Sequence, residues 1–224
     1  MRMLGVFEKG ERIRHIGHLD IQRSVQRGLR RSGLPVAYSQ GFSPHILITF
    51  ASALSTGACG KREIMDVTMA GETSAEEFMI RMNKSMPPEM QLKEARILDT
   101  KHPSLSTLLC AAEYDIMIRN ETQGKAIGAA LPVLMMQESI SAIRKTKTKM
   151  AECDIKPLII DAESNGNHIH AILVLNEKES CKPQMLLEAL RKQAGLDEEV
   201  RVLITREQLF GRNQTGKLTP LEKL

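Results

Sequence analysis

The sequence predicts an α+β protein built from tandem ferredoxin-like (β-α-β-β-α-β) units. Segments with strand and helix periodicity follow one another in that order twice, each time over about a hundred residues. Between the two copies, Pro103 and polar residues in "DTKHPSLSTLLC" interrupt the pattern. We therefore assign residues 1–100 to an N-terminal unit, 101–112 to a linker, 113–211 to a C-terminal unit and 212–224 to a flexible tail.

The first unit opens with a short strand in "MRMLGVFEKG". "LDIQRSVQRGLRRSG" follows as a helix, with Asp20 as its N-cap and Gly33 at its end. In "HILITFASAL" and "REIMDVTMAG", apolar residues alternate with polar ones or follow one another directly, which is typical of strands. Ser74 then opens a helix in "SAEEFMIRMNKSM", and "MQLKEARILD" is the last strand.

The second unit repeats this order. "AEYDIMIRN" is a strand, and "GKAIGAALPVLMMQES" is a helix that Pro132 kinks or ends. "KTKTKMAECDIKPLIIDAE" supplies one or two strands, and an Asn-Gly turn leads into the strand "NHIHAILVLN". "KPQMLLEALRKQAG" is a helix with Pro183 near its start and Gly195 at its end, and "EVRVLITREQLF" closes the unit.

Composition indicates a globular protein, because 42% of the residues are hydrophobic and 26% are charged. A net charge of +4 permits a polyanion partner without requiring one. No apolar run approaches the ~20 residues that span a bilayer, so we expect a cytoplasmic protein with no membrane partner. The wide spacing of Cys59, Cys110, Cys153 and Cys181 favours reduced thiols over disulfides or a zinc knuckle.

The first helix carries an arginine face. At 100° per residue, its arginines fall within an arc of about 100°, opposite Ile21, Val25 and Leu29. Guanidinium groups bind phosphates bidentately, and no acidic residue between Asp20 and Arg31 offers an i,i+4 ion pair. A charged, solvated helix face is the plain alternative.

The segment "YSQGFSPH" follows this helix and concentrates aromatic residues in a chain with two Tyr and five Phe. Tyr38 and Phe42 are suited to stacking on bases, Gly41 to close backbone approach, and Gln40 and Ser43 to hydrogen bonding. Alternatively, both aromatic rings fill the core beside the helix.

Lys145, Lys147 and Lys149 in "RKTKTKM" form a possible basic strand edge, although such lysines also guard edges against aggregation. The predicted nucleic-acid-binding residues are Arg12, Arg14, Arg23, Arg27, Arg30, Arg31, Tyr38, Gln40, Phe42, Ser43, His45, Lys145, Lys147 and Lys149.

His15, His18 and His45 are weak catalytic candidates, as a general acid or base or as metal ligands. Their possible carboxylate partners are Asp20, Glu63 and Asp66. Because no Cys ligand or carboxylate triad accompanies them, we predict no metal and no cofactor. His168 and His170 are interpreted as ordinary surface residues.

The stretch from "RIRHIGHLD" through "GFSPH" to "FASAL" and "REIMDV" resembles the family of radical-SAM-linked proteins, whose members occur alone or fused to radical SAM enzymes. The match covers about residues 2–68, although "PHILITF" lacks the usual Pro-Lys after the His. The resemblance implies an association with a radical SAM enzyme and with RNA processing. The chain has no CxxxCxxC motif for an iron–sulfur cluster of its own.

These observations predict an RNA-binding accessory protein that presents tRNA or rRNA to a radical SAM modification or processing enzyme, and we expect no activity of its own. One alternative is a metal-independent RNA endonuclease resembling the CRISPR repeat-processing nucleases, with a histidine as base and arginines stabilising the phosphorane. Another is a protein-interaction module that docks on a radical SAM enzyme.

Overall fold

The computed structural model describes residues 1–145 and 150–224. They form a mixed α and β structure with five α-helices and mostly antiparallel strands. The chain divides into two compact units: residues 1–109 together with 211–224 form unit 1, and residues 110–210 form unit 2.

Unit 1 contains a four-stranded antiparallel sheet in the order β4-β1-β3-β2. Its strands are β1 (Arg2–Lys9), β2 (Ile48–Phe50), β3 (Ala58–Thr68) and β4 (Leu92–Leu98). Its helices are α1 (His18–Ser32), α2 (Ala75–Ser85) and the short α3 (Leu105–Leu108). Apolar residues of α1, α2 and the sheet form one core, which includes Val25, Leu29, Met65, Phe78 and Met82. The core therefore fixes the face that α1 turns to solvent.

The ends of α1 show which local signals were correct. The predicted N-cap at Asp20 is wrong: the helix begins at His18, Gly17 is the N-cap, and Asp20 lies in the first turn. At the other end, Gly33 adopts φ +65°, a left-handed conformation that glycine tolerates best, and it ends the helix as predicted. Ser74 caps α2 as predicted, since its hydroxyl accepts a hydrogen bond from the Glu77 amide at 3.0 Å.

Unit 2 contains four antiparallel sheet strands, in the order β10-β5-β9-β8. Its strands are β5 (Ala111–Ile118), β8 (Ile159–Asn165), β9 (His168–Val174) and β10 (Val202–Arg212), the last of which continues into unit 1 from Gly211. Its helices are α4 (Glu121–Met135) and α5 (Pro183–Gln193). A separate hairpin joins β6 (Ser141–Lys145) to β7 (Met150–Asp154). Pro132 lies inside α4 and does not end it.

The segment predicted as a flexible tail is ordered in unit 1. It forms β11 (Leu218–Pro220) and a 3-10 turn in which Leu221 is fully buried. The buried Glu222 carboxylate accepts a hydrogen bond from Arg62 at 2.7 Å, and Arg96 donates to the Leu224 carbonyl at 2.8 Å. The buried Leu221 side chain and these polar contacts anchor the segment in unit 1, although its sequence has no apolar periodicity.

The four cysteines are reduced thiols, as their spacing predicted. Cys59 and Cys181 are buried, while Cys110 and Cys153 are half-buried. Burial raises the pKa of the Cys181 thiol to about 12, so this thiol is unreactive at neutral pH.

Candidate nucleic-acid interface

The packing of α1 leaves its arginine face exposed. Ile21, Val25 and Leu29 are buried in the core, and Arg23, Arg27, Arg30 and Arg31 are exposed on the other side. The spacing of the apolar residues therefore predicted correctly which face of this helix is buried and which is exposed.

The four arginines differ in what they contact. Arg23 forms an i,i+3 ion pair with Asp20 at 2.9 Å, a spacing that the absence of i,i+4 acidic partners does not exclude. Arg31 donates a hydrogen bond to the Ser85 carbonyl at 2.6 Å. Arg27 and Arg30 form no ion pair with any residue in the described part of the chain. Two exposed guanidinium groups thus lie one helical turn apart with their charge uncompensated.

Arg12 and Arg14 precede α1 and contact nearby acidic side chains. Arg12 lies 3.6 Å from a Glu89 carboxylate oxygen while its side chain remains 87% exposed, and Arg14 pairs with Glu11 at 3.0 Å. Both lie at a 3-10 turn after β1 and not on a strand. Arg12 is therefore the more accessible of the two, because the Arg14 side chain is only 30% exposed.

The "YSQGFSPH" segment forms a closed loop at the end of a narrow hairpin. Tyr38 bridges Ile46, and the Ser39 amide donates to the His45 carbonyl at 2.9 Å. The Ser39 hydroxyl also contacts His45 Nδ1 at 2.8 Å and accepts from the His45 amide at 3.1 Å. Gly41 makes the turn with φ +118°, which strongly favours glycine. These contacts fix both ends of the loop.

The aromatic side chains of this loop face solvent. Phe42 is completely exposed, and 44% of Tyr38 is exposed. Phe42 therefore contributes nothing to the core, and the alternative that it fills the space beside α1 is wrong. Gln40 and Ser43 are exposed with it. An uncovered ring on an anchored loop is suited to stacking on a planar ligand.

Next to His45 of the loop, an open groove of about 470 Å³ is lined by residues of β1, β2 and β3. Its lining includes His45, Thr49, Thr68 and Ser104, together with an ion pair between Arg2 and Asp66. Asp66 is buried, and its hydrogen bond with Arg2 raises the pKa of that guanidinium. Asp66, a suggested carboxylate partner for a histidine, is instead paired with Arg2.

His18 lines a different cavity from His45. Its ring meets Phe50 edge-on at 5.3 Å, beside a space of about 10 Å³ that Lys9, Ser52 and Glu63 also line. That volume holds about one water molecule. Both Lys9 and Glu63 are buried, and Lys9 donates to the Arg14 carbonyl at 2.8 Å. Lys9 is not among the predicted site residues, and its position at the end of a buried strand is the signal in the sequence that points to it.

The three candidate histidines do not form a metal-binding group within the described ranges, where one such group occurs elsewhere. His15 is exposed on the turn before α1. In unit 2, His168 and His170, interpreted from the sequence as unrelated surface residues, lie beside Asp115. Of the basic edge, Lys145 ends β6, while Lys147 and Lys149 lie outside the described residues.

Residues 2–183 match the family described as an uncharacterized protein conserved in bacteria (DUF2344). The chain belongs to this family. The match covers most of unit 1 and of unit 2, and the family description assigns no activity and no partner. No curated protein matches the chain. None of the helices in the described residues of this DUF2344 protein has the length and apolar character needed to cross a membrane.

Proposed function

We propose that this DUF2344 protein binds RNA through unit 1 and presents it to a radical SAM enzyme that modifies or processes RNA. The RNA-binding surface consists of the arginine face of α1 and the loop at residues 38–45. The observation that carries the proposal is the pair of exposed guanidinium groups at Arg27 and Arg30, which lack an ion-pair partner within the described part of the chain.

Neither guanidinium of this pair stabilises the described part of the unit through an ion pair. Like charges one turn apart on a helix repel each other and lower its stability slightly. The apolar face of α1 already holds the helix in place through Val25 and Leu29. A ligand with closely spaced anionic groups would relieve the repulsion, and a nucleic-acid backbone presents such groups at regular intervals.

The exposed ring of Phe42 favours a single-stranded or looped RNA over a duplex. Bases in such regions are unstacked and can be captured on aromatic side chains, whereas a duplex hides their faces. The anchored loop limits the conformational freedom that Phe42 must lose on binding. Arginine contacts to phosphates and one stacked base would together provide binding with modest sequence preference.

The strand orders support a tandem ferredoxin-like architecture as part of this proposal. In each unit, the first strand in sequence lies between the third and the fourth, and the second pairs with the outer side of the third. This is the order expected of the β-α-β-β-α-β unit, with the β6–β7 hairpin inserted into unit 2. Such a fold accepts many functions, so the RNA proposal depends on the side chains of unit 1.

The test is fluorescence anisotropy of the purified protein with a labelled tRNA, an rRNA fragment and a DNA oligonucleotide of matched length. We expect binding to RNA that weakens steeply with salt. Arg27→Glu with Arg30→Glu should abolish it, while circular dichroism and the unfolding midpoint stay unchanged because both positions are exposed. Retained binding in this double variant would remove the basis of the proposal.

Lys125→Glu with Lys192→Glu provides the matched control. Both lysines are exposed on helices of unit 2, and the control changes the net charge by the same amount. The same reactions, held for hours and resolved on a gel, test the endonuclease alternative, for which we expect no cleavage. Binding of an acidic radical SAM enzyme but not of RNA would instead favour the docking module.

A further inference from the structure

A cluster on the unit 2 sheet carries an inference independent of the arginine face. Asp115 on β5 lies directly opposite His170 on β9, and His168 is two residues away on the same strand. Side chains at i and i+2 of a strand project from one face of a sheet, so all three project together. The intervening Ile116 and Ile169 are buried on the other face.

The donor atoms of the three side chains converge. Asp115 Oδ1 lies 2.9 Å from His168 Nδ1 and 3.5 Å from His170 Nδ1, and all three donors fall within 4.8 Å of one another. Ligands held at the ~2.0–2.1 Å bond lengths of zinc sites are separated from each other by about 3.0–3.4 Å. The two distances from Asp115 to the histidines lie close to that range, so the three donor atoms can share one ion after the imidazole rings rotate.

We propose that Asp115, His168 and His170 form a binding site for a divalent transition metal, with Zn²⁺ as the best-fitting ion. Two imidazole nitrogens and one carboxylate oxygen suit Zn²⁺ and its neighbours, whereas Mg²⁺ and Ca²⁺ prefer oxygen ligands alone. Three protein ligands leave at least one coordination position open, as in catalytic zinc sites.

The accessibility of the cluster fits this assignment. The side chains of His168 and His170 are 36% and 38% exposed, so solvent or a substrate can reach the open position. Asp115 is 17% exposed and is held against His168 by hydrogen bonds of 2.9 and 3.0 Å. Partial burial of the carboxylate strengthens its attraction for a cation, and the pairing orients the ligands before an ion arrives. Both Nδ1 atoms face the same carboxylate. The two imidazole rings stack nearly parallel, with an interplanar angle of 11°, so at least one ring must turn to direct both lone pairs at one ion.

The alternative is a hydrogen-bonded cluster that binds no ion, and titration with Co²⁺ and Zn²⁺ separates the two. We expect the full-length protein to bind one Co²⁺ with visible absorption bands of a four- or five-coordinate site, and Zn²⁺ to displace it. His168→Ala and His170→Ala should each weaken Zn²⁺ binding by more than about a hundred-fold, beyond the 10–100-fold cost of losing an outer partner. Asp115→Asn keeps the size of the side chain, removes its charge and should have a similar effect.

His102→Ala is the matched control, because His102 is a half-exposed histidine of unit 1 outside the cluster. It should leave the stoichiometry and affinity unchanged. Unfolding curves recorded in chelator establish whether each variant is folded, and Zn²⁺ should raise the unfolding midpoint of the wild-type protein but not of His170→Ala. A Co²⁺ spectrum like that of the hexaaqua ion, or an affinity that survives His168→Ala and His170→Ala, would overturn the assignment.

Discussion

At the scale of single residues, burial decides what each charged group contributes. Arg2 and Arg23 both pair with an aspartate, but the Asp66 side chain is 6% exposed and the Asp20 side chain 62% exposed. An exposed pair exchanges one solvated state for another and gains almost nothing. A buried carboxylate that loses its cation remains desolvated, which costs far more.

We therefore expect Arg2→Met to lower the free energy of unfolding by about 3 kcal/mol, the typical cost of breaking a buried pair. The Asp66 carboxylate would lose its partner, and the His102 carbonyl would lose the hydrogen bond that Arg2 donates. Urea unfolding followed by circular dichroism measures the loss. Arg23→Met, the matched control, should change stability by less than about 0.5 kcal/mol.

Adding Asp66→Asn to Arg2→Met removes the uncompensated charge and should recover part of the lost stability. Equal costs for Arg2→Met and Arg23→Met would show that the groove pair is as well solvated as a surface pair.

The Phe42 side chain separates binding from stability, because it is completely exposed. Phe42→Ala should weaken RNA binding by about 1–3 kcal/mol, the value of one stacked base, and leave the unfolding midpoint unchanged. Anisotropy with a looped RNA measures the first effect and a thermal melt the second. Met136→Ala, at an exposed apolar side chain of unit 2, should change neither. A lower midpoint for Phe42→Ala would instead assign the ring to packing.

At the scale of elements, hydrophobic periodicity predicted the helix faces, whereas single tertiary contacts could not be predicted from the sequence. The faces of α1 follow from Ile21, Val25 and Leu29, and the left-handed end follows from Gly33. The predicted strand "HILITFASAL" is reduced to Ile48–Phe50. On either side of it, the Leu47 amide donates to the Ala37 carbonyl and the Ala51 amide to the Ile64 carbonyl of β3, outside the regular β2–β3 ladder. Local propensity does not contain those tertiary hydrogen bonds.

The C-terminal segment shows the same limit. Of its three leucines only Leu221 is buried in the core, and Glu222 pairs with Arg62, 160 positions earlier. No pattern within the segment could reveal that pairing. The candidate sites follow this rule as well: the arginine face was predictable from helical spacing, but the meeting of Asp115 with His168 and His170 depends on strand register.

Because Leu221 is buried in unit 1, Leu221→Ala should be as costly as any core substitution. We expect a loss of about 2–5 kcal/mol, because the side chain is fully buried and truncation leaves a cavity. Leu19→Ala removes the same atoms from an exposed position and should cost less than about 0.5 kcal/mol. Urea unfolding of both variants measures how much residues 212–224 contribute to the free energy of unfolding, and equal costs would show that the segment contributes nothing.

At the scale of the whole molecule, the question is whether RNA responds to total charge or to one surface. A net charge of +4 is too small to specify a polyanion partner, so the proposal depends on where the charge lies. The arginine reversal on α1 and the lysine reversal on α4 and α5 each convert two cations into two anions, which lowers the formal net charge from +4 to 0. Long-range attraction is thereby weakened equally in both, and only the location differs.

The salt dependence of RNA binding then shows which helix contacts the phosphates. Each phosphate neutralised on a single strand contributes about 0.7 to the slope of log affinity against log salt concentration. Because we expect Arg27→Glu/Arg30→Glu to abolish measurable binding, the slope is best compared in the milder Arg27→Gln/Arg30→Gln variant, where it should fall by about 1.4 for two lost contacts. Lys125→Gln/Lys192→Gln should keep the wild-type slope. An equal fall in both variants would mean that RNA responds to the charge of the whole protein and that α1 holds no defined phosphate contacts.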